Sequence, residues 1–158
     1  GERKAARMRL NVAARQLIAR FPLGFVATVD AEGLPCVSPK GTFLVLDDGT
    51  LGFGNIRSPG TVANLRANPA CEVNFIDPFL RKGLRVRGTA RIVGSGEAGF
   101  DRISGWRAVW GDLADRITDL VLIEVAAVKP LSTPPYDDGV TEDEMLALYK
   151  AKYAEIYP

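Results

Sequence analysis

Residues 24–41, "GFVATVDAEGLPCVSPKG", read as two short extended segments joined by a tight loop. Phe25, Val26, Thr28 and Val29 favour a pleated, half-buried backbone, and Ala31-Glu32-Gly33 supplies the glycine-bearing turn between the arms. The next stretch, "TFLVLDDGTLGFGN" (42–55), repeats the design. Its Asp48-Gly49 is a strong short-range hairpin signal. Further on lie "CEVNFI" (71–76), "LRVRGTARIVG" (84–94) and the nearly all-apolar "DLVLIEVAAV" (119–128), the last suited to a central or buried strand. Strands in hairpin order with few helices between them predict a mainly β fold, a small antiparallel barrel, and not a doubly wound parallel sheet. No G-x-G-x-x-G follows a strand, so a Rossmann dinucleotide site is unsupported.

Helical patterns flank this core. Leu10, Ala13, Ala14, Leu17 and Ile18 fall at helical spacing between Met8 and Arg20, and Phe21-Pro22 ends the run. Residues 95–117 are helix-compatible but interrupted by glycine, with Trp106 and Trp110 four apart for packing or for stacking on a flat ring. "KPLSTPPYDDG" (129–139) is proline-rich and predicts a connector outside the sheet. Thr141 with Glu144 forms a capping box, and the helix it opens carries Met145, Leu148, Tyr149, Tyr153 and Ile156 along one stripe, for packing on its own sheet or on a second subunit. The chain is thus one domain: residues 1–22 the N-terminal helix, 23–130 the barrel, 131–158 connector and C-terminal helix.

Composition narrows the chemistry. The 158 residues carry a net charge of +1, which does not call for nucleic acid. The basic residues Arg3, Lys4, Arg7, Arg9, Arg15 and Arg20 and the acidic Asp137, Asp138, Glu142, Asp143 and Glu144 read as a solvated helix face and an acidic loop. No apolar run approaches the roughly 20 residues that span a bilayer. No secretory h-region stands at the start, and Cys36 and Cys71 are isolated free thiols, which together predict a cytoplasmic protein. Above all there is no histidine. That removes a Ser-His-Asp triad, imidazole metal ligands and a His-ligated haem, so a bound organic cofactor is the expected source of any reactive group.

Two polar clusters could hold one. "NIRSPGTVANLRANP" (55–69) runs from a strand into a helix through Arg57, Ser58, Pro59, Gly60 and Thr61. The first N–H groups of a helix have no internal partner, and the helix dipole adds positive charge there. Ser58 and Thr61 can donate to an anion and Arg57 can pair with it, although Ser58 or Thr61 as a plain N-cap explains the same residues. "SPKG" (38–41) is the second cluster, with Cys36, Ser38 and Lys40 sharing one face of a strand. In "LRVRGTARIV", Leu84, Val86, Ala90 and Ile92 face one way. Arg85, Arg87, Thr89 and Arg91 face the other, towards solvent, a subunit interface or a ligand.

The order of these motifs resembles the pyridoxamine 5′-phosphate oxidase-like, FMN-binding split-barrel family, best over Leu23 to Gly94. The resemblance implies a six-stranded antiparallel split β-barrel that works as a homodimer, with FMN in clefts at the subunit interface. It implies that the strand of Val37 and Ser38 runs along the flavin with Lys40 close to it. Arg57, Ser58 and Thr61 would take the phosphate, Asn55 would hydrogen-bond the cofactor, and Arg81 and Lys82 would contribute from the second subunit. The activity implied is an FMN-dependent oxidoreductase acting on a small molecule, with no catalytic side chain named and no metal. A deazaflavin (F420) carrier and a ligand-free dimeric interaction domain are the other readings. Departures from the family matter too. Gly60-Thr61 stands where the name-giving oxidases have Arg-Lys. Phe100 to Trp110 lacks their Tyr, Arg and Ser set, and their substrate histidine is absent. The substrate is therefore expected not to be a pyridoxine phosphate.

Overall fold

The computed structural model describes residues 9–158. Arg3, Lys4, Arg7 and Met8 lie outside the described residues. Helix α1 (Val12–Arg20) begins later than its apolar spacing suggests, because the Asn11 side chain caps it, accepting from the Ala14 N–H at 2.9 Å.

Seven strands follow in one sheet: β1 (Gly24–Val29), β2 (Pro35–Lys40), β3 (Phe43–Asp47), β4 (Thr50–Asn55), β5 (Ala70–Asp77), β6 (Lys82–Gly94) and β7 (Asp119–Leu131). Their spatial order is β2-β1-β5-β6-β7-β4-β3, and every neighbouring pair is antiparallel. The strands at the two edges, β2 and β3, are joined only by Gly41-Thr42. So short a link forces the sheet to roll until its edges meet at that corner while the sheet itself stays open, which makes a split barrel. Seven strands stand where the resemblance implies six, because the chain breaks at Gly41-Thr42 into two strands with different partners, β1 for β2 and β4 for β3. Thr42 pins the corner: its hydroxyl accepts from Gly54 N–H and donates to Gly54 C=O, both at 3.0 Å, and Trp106 Nε1 donates to its carbonyl at 2.8 Å.

The inner face is the main core. Leu10, just before α1, and Ala14 and Ile18 on it pack with Val26, Phe43, Phe53, Val73, Phe75, Val86 and Ile123, all buried. Each large side chain removed from water contributes about 1.5–3 kcal/mol. Phe43 meets Phe75 edge-on at 4.9 Å between centroids. Gly24 is needed beside them, since a Cβ there would stand 2.5 Å from the Phe43 ring. A second core lies outside the sheet, where Leu120, Leu122 and Ile117 pack with Trp106 of α3 (Ile103–Trp110) and with residues of the 3₁₀ turns on either side of it. The helix-compatible, glycine-interrupted stretch expected over 95–117 is these three pieces, with Gly111 at the second break.

On β6, Leu84, Val86 and Ala90 are buried while Arg85, Arg87, Thr89 and Arg91 are exposed, as the alternation requires. The connector reading of residues 129–131 is corrected: Lys129, Pro130 and Leu131 pair with Arg85, Leu84 and Gly83. β4 accompanies β7 only as far as Glu124, so beyond it β7 is an edge strand, where proline is tolerated. Thr141 caps α4 (Glu142–Ile156) through the Glu144 N–H at 3.1 Å. Of the predicted stripe, Met145 is buried and Tyr149 and Tyr153 are half-buried, but Leu148 and Ile156 remain exposed. Among the described residues no helix is long and apolar enough to cross a membrane.

Candidate functional site

The two polar clusters meet at the corner where β2 ends and the second helix, α2 (Pro59–Ala67), begins. On β2 the alternation turns Ser38 and Lys40 inward, opposite Val26 and Gly24. Lys40 is only 8% exposed, yet no carboxylate among the described residues comes within ion-pair distance. Its Nζ donates instead to Ser38 Oγ at 2.9 Å and to Ser58 Oγ. A desolvated ammonium with hydroxyl partners alone is unfavourable, and burial lowers the Lys40 pKa from its usual 10.5.

Ser58 decides between the readings of the turn. It occupies the N-cap position of α2, but its side chain makes no capping hydrogen bond; its hydroxyl is engaged by Lys40. Pro59 follows at the first helical position, where its missing N–H costs nothing. The N–H groups of Gly60 and Thr61 therefore stand at the positive end of the helix with no side-chain cap. Gly60 is exposed, with open space where a Cβ would be, so an anion can come up to the backbone there. Thr61 is buried and Arg57 is exposed on the rim.

Asn55 closes β4 one turn upstream and is 6% exposed. Its Nδ2 donates to Asp119 Oδ2 at 3.4 Å, and Asp119 also accepts from Thr118 Oγ1 at 2.9 Å. Asn55 Oδ1 has no hydrogen-bond partner. That orphaned acceptor suits a donor on a bound group, because a buried carbonyl left unpaired costs about 1–3 kcal/mol. Asp119 and Thr118, which tether Asn55, were not among the residues picked from the sequence; the one signal was an acid opening an otherwise apolar strand.

The remaining candidates lie apart. Val37 points to the outer face, opposite to Ser38 and Lys40, and is 68% exposed. Arg81 and Lys82 sit at the β5–β6 turn, on the far side of β1 and β5 from Lys40. There Lys82 Nζ pairs with Glu142 at 2.8 Å and lies 4.3 Å from the Tyr136 ring centre, while the Arg81 guanidinium stacks 3.8 Å from that of Tyr149. Within one chain these two cations belong to the clamp that holds the C-terminal arm, together with Tyr136 Oη donating to Leu80 C=O and Tyr153 Oη to Pro78 C=O. Cys71 is buried, and burial pushes its thiol up to about 11, so it is no nucleophile. No group of three or more metal-binding side chains gathers among the described residues. A cavity of about 430 Å³ between α1 and the β6–β7 ends is lined mainly by Ala14, Leu17, Leu84, Val128 and Pro130 and excludes the Lys40 corner. Chemistry, and not volume, marks the site.

Comparison with known proteins bears on the fold and the family. The chain is similar to HupZ of Group A Streptococcus, with 28% identity over 78% of this chain and 94% of that one and a TM-score of 0.68. It shares its fold with an FMN-binding protein from Syntrophomonas wolfei (16% identity, 84% and 90% coverage, TM-score 0.65). The same holds for HutZ, the haem storage protein from Vibrio cholerae (23% identity, 77% and 94% coverage, TM-score 0.59). No curated protein sequence matches it significantly. The sequence profile described as pyridoxamine 5′-phosphate oxidase matches residues 10–132, which extends the likeness beyond the stretch between Leu23 and Gly94 to α1 and all seven strands. With the split barrel and this match together, the chain belongs to the pyridoxamine 5′-phosphate oxidase family.

Proposed function

We propose that this protein binds FMN at the Lys40–Ser58 corner and works as an FMN-dependent oxidoreductase on a small molecule other than a pyridoxine phosphate. The observation that carries the reading is Lys40: a buried ammonium with only Ser38 and Ser58 hydroxyls for partners, beside uncapped helix N–H groups. A phosphate fits all of these donors at once. Arg57 and Thr61 add donors at its rim, and Asn55 Oδ1 offers an acceptor for a hydroxyl or N–H of the same molecule. When bound, FMN would supply the hydride and electron transfer for which this chain has no side chain. The chain's own residues bind, charge-balance and orient it.

The assembly proposed is a homodimer in which Arg81 and Lys82 reach the partner's cofactor. The outer face of β1 and β2 supports it: Phe25 and Val37 are exposed there. A haem reading, raised by likeness to a haem storage protein, lacks support because this chain has no histidine to serve as an axial ligand. The absorption spectrum of the purified protein, followed by titration with FMN and separately with F420, tests the proposal. A flavin spectrum or micromolar FMN binding is expected. F420 binding alone would reassign the cofactor. A Soret band, or no binding of either compound, would defeat the reading.

A further inference from the structure

The C-terminal arm closes a smaller cavity that the flavin reading leaves unused. It measures about 290 Å³ and lies between the β5–β6 turn, the connector after β7 and α4. One water takes up roughly 30 Å³ in the liquid, so the space holds on the order of ten heavy atoms, the size of a single amino acid. Pro135 and Val140 of the connector and Met145 and Leu148 of α4 give it aliphatic walls. Glu144 and Leu148 stand about one helical turn apart, as do Met145 and Tyr149, so one side of α4 lines it.

Two opposite charges border this space. The Arg81 guanidinium lies 3.8 Å from the centre of the Tyr149 ring, and its Nε is buried without a hydrogen-bond partner. A buried N–H with no acceptor is unfavourable. Arg81 is also the one non-glycine residue with a positive φ, 57°, among the described residues, so the turn keeps a long cation where glycine would be less strained. Glu144 is the second charge. Its Oε1 accepts from the Thr141 hydroxyl at 3.1 Å, and no ion pair joins it to Arg81. Glu142, two residues earlier and so on a different side of α4, is the acid that Lys82 takes.

Arg81 and Glu144 thus border one cavity without answering each other. A lone anion attracted by Arg81 would be repelled by Glu144, and a lone cation would meet the reverse. A zwitterion with an apolar body answers both charges and the walls at once. We propose that this pocket binds an α-amino acid with an aliphatic side chain. Its carboxylate lies on Arg81, its ammonium on Glu144 and its side chain among Pro135, Val140, Met145 and Leu148. All of these contacts come from one chain, so the site does not depend on FMN being bound.

Calorimetric titration of the full chain with L-leucine tests it. Expected is a dissociation constant of about 1 mM or below. Leucinamide, which lacks the carboxylate, and isocaproate, which lacks the ammonium, should each bind at least tenfold more weakly. Glu144→Gln keeps an acceptor for Thr141 and should abolish the preference for leucine over isocaproate. Arg81→Gln should abolish the preference for leucine over leucinamide. Equal binding of the three compounds, an unchanged preference in Glu144→Gln, or no leucine binding at about ten times that concentration overturns the proposal. Arg81→Gln also loses the stack on Tyr149; if it does not fold, the Glu144→Gln affinities decide alone. A chain that binds leucine but no FMN would lose the flavin reading and keep this one.

Discussion

The Lys40 corner and the Arg81-Lys82 turn both set cations at strand ends, yet they are built on opposite principles. Lys82 pairs with Glu142 and faces the Tyr136 ring, so its charge is answered within the chain, while Arg81 lies on Tyr149 with its buried Nε unpartnered. Lys40 is buried more deeply and is answered only by hydroxyls. The first arrangement fastens the C-terminal arm; the second leaves charge complementarity for something else to complete. A cation that the fold has already satisfied contributes stability, and a desolvated one that it has not satisfied marks a binding site.

Removing the unsatisfied charge should separate the two most sharply. Lys40→Met is expected to lower FMN affinity at least a hundredfold, as a charge-assisted phosphate contact is lost. It should also raise the melting temperature of the flavin-free chain by about 2–4 °C, because a desolvated charge has been replaced by an isosteric apolar chain. Titration and calorimetry on the same sample check both signs, and a drop in stability would show that Lys40 is structural. Ser58→Asp makes the corner resemble the turn by giving Lys40 an acid and α2 an acidic N-cap. It should stabilise the chain by roughly 1 kcal/mol and weaken FMN binding at least tenfold by repelling phosphate. Tighter binding in the variant would contradict the anion assignment.

The two lysines should also differ in the sign of their pH dependence. Lys40 has a folded pKa below that of the unfolded chain, so between that value and 10.5 the unfolded state holds the extra proton, and stability attributable to Lys40 rises with pH. The Glu142 hydrogen bond raises the Lys82 pKa, so its contribution is complete below 10.5 and declines as pH climbs through the raised value. Denaturant unfolding across the alkaline range, with Lys40→Met and Lys82→Met each subtracted from the unaltered chain, should give slopes of opposite sign. The smallest effect belongs to Lys82→Ala. Its pair with Glu142 is largely solvated, so a loss below about 1 kcal/mol is expected, with FMN affinity changed less than fivefold. A larger fall in affinity would mean that the partner's Lys82 carries much of the cofactor's charge.

Much of the fold is legible in the sequence because its signals are local. Asp48-Gly49 turns where it should, the arginines of β6 alternate outward, and Thr141 caps its helix. Pro130 misleads, since its tolerance depends on β7 having lost β4 as a neighbour by that point, which no local pattern reveals. The site divides in the same way. Arg57, Ser58 and Thr61 announce a helix start, but only the rolled sheet brings Lys40 onto Ser58, 18 residues away, and so removes Ser58 from capping duty. The stacking of Arg81 on Tyr149 and the tether from Asp119 to Asn55 likewise join residues far apart in the chain and leave no spacing to read.

The Gly41-Thr42 link that joins the two edges of the sheet also bears on the order of folding. The β1–β2 and β3–β4 hairpins close over short loops, whereas β4 finds β7 only after the chain between Asn55 and Asp119 has been gathered in. Pairing of such high contact order is slow. Lys40 and Ser58 flank the second hairpin, so their contact is set by where that hairpin docks. In refolding experiments, flavin capture should therefore appear with the last and slowest phase, after most of the β signal has been recovered. FMN would then act as a reporter of barrel closure and would hold the last-formed seam shut.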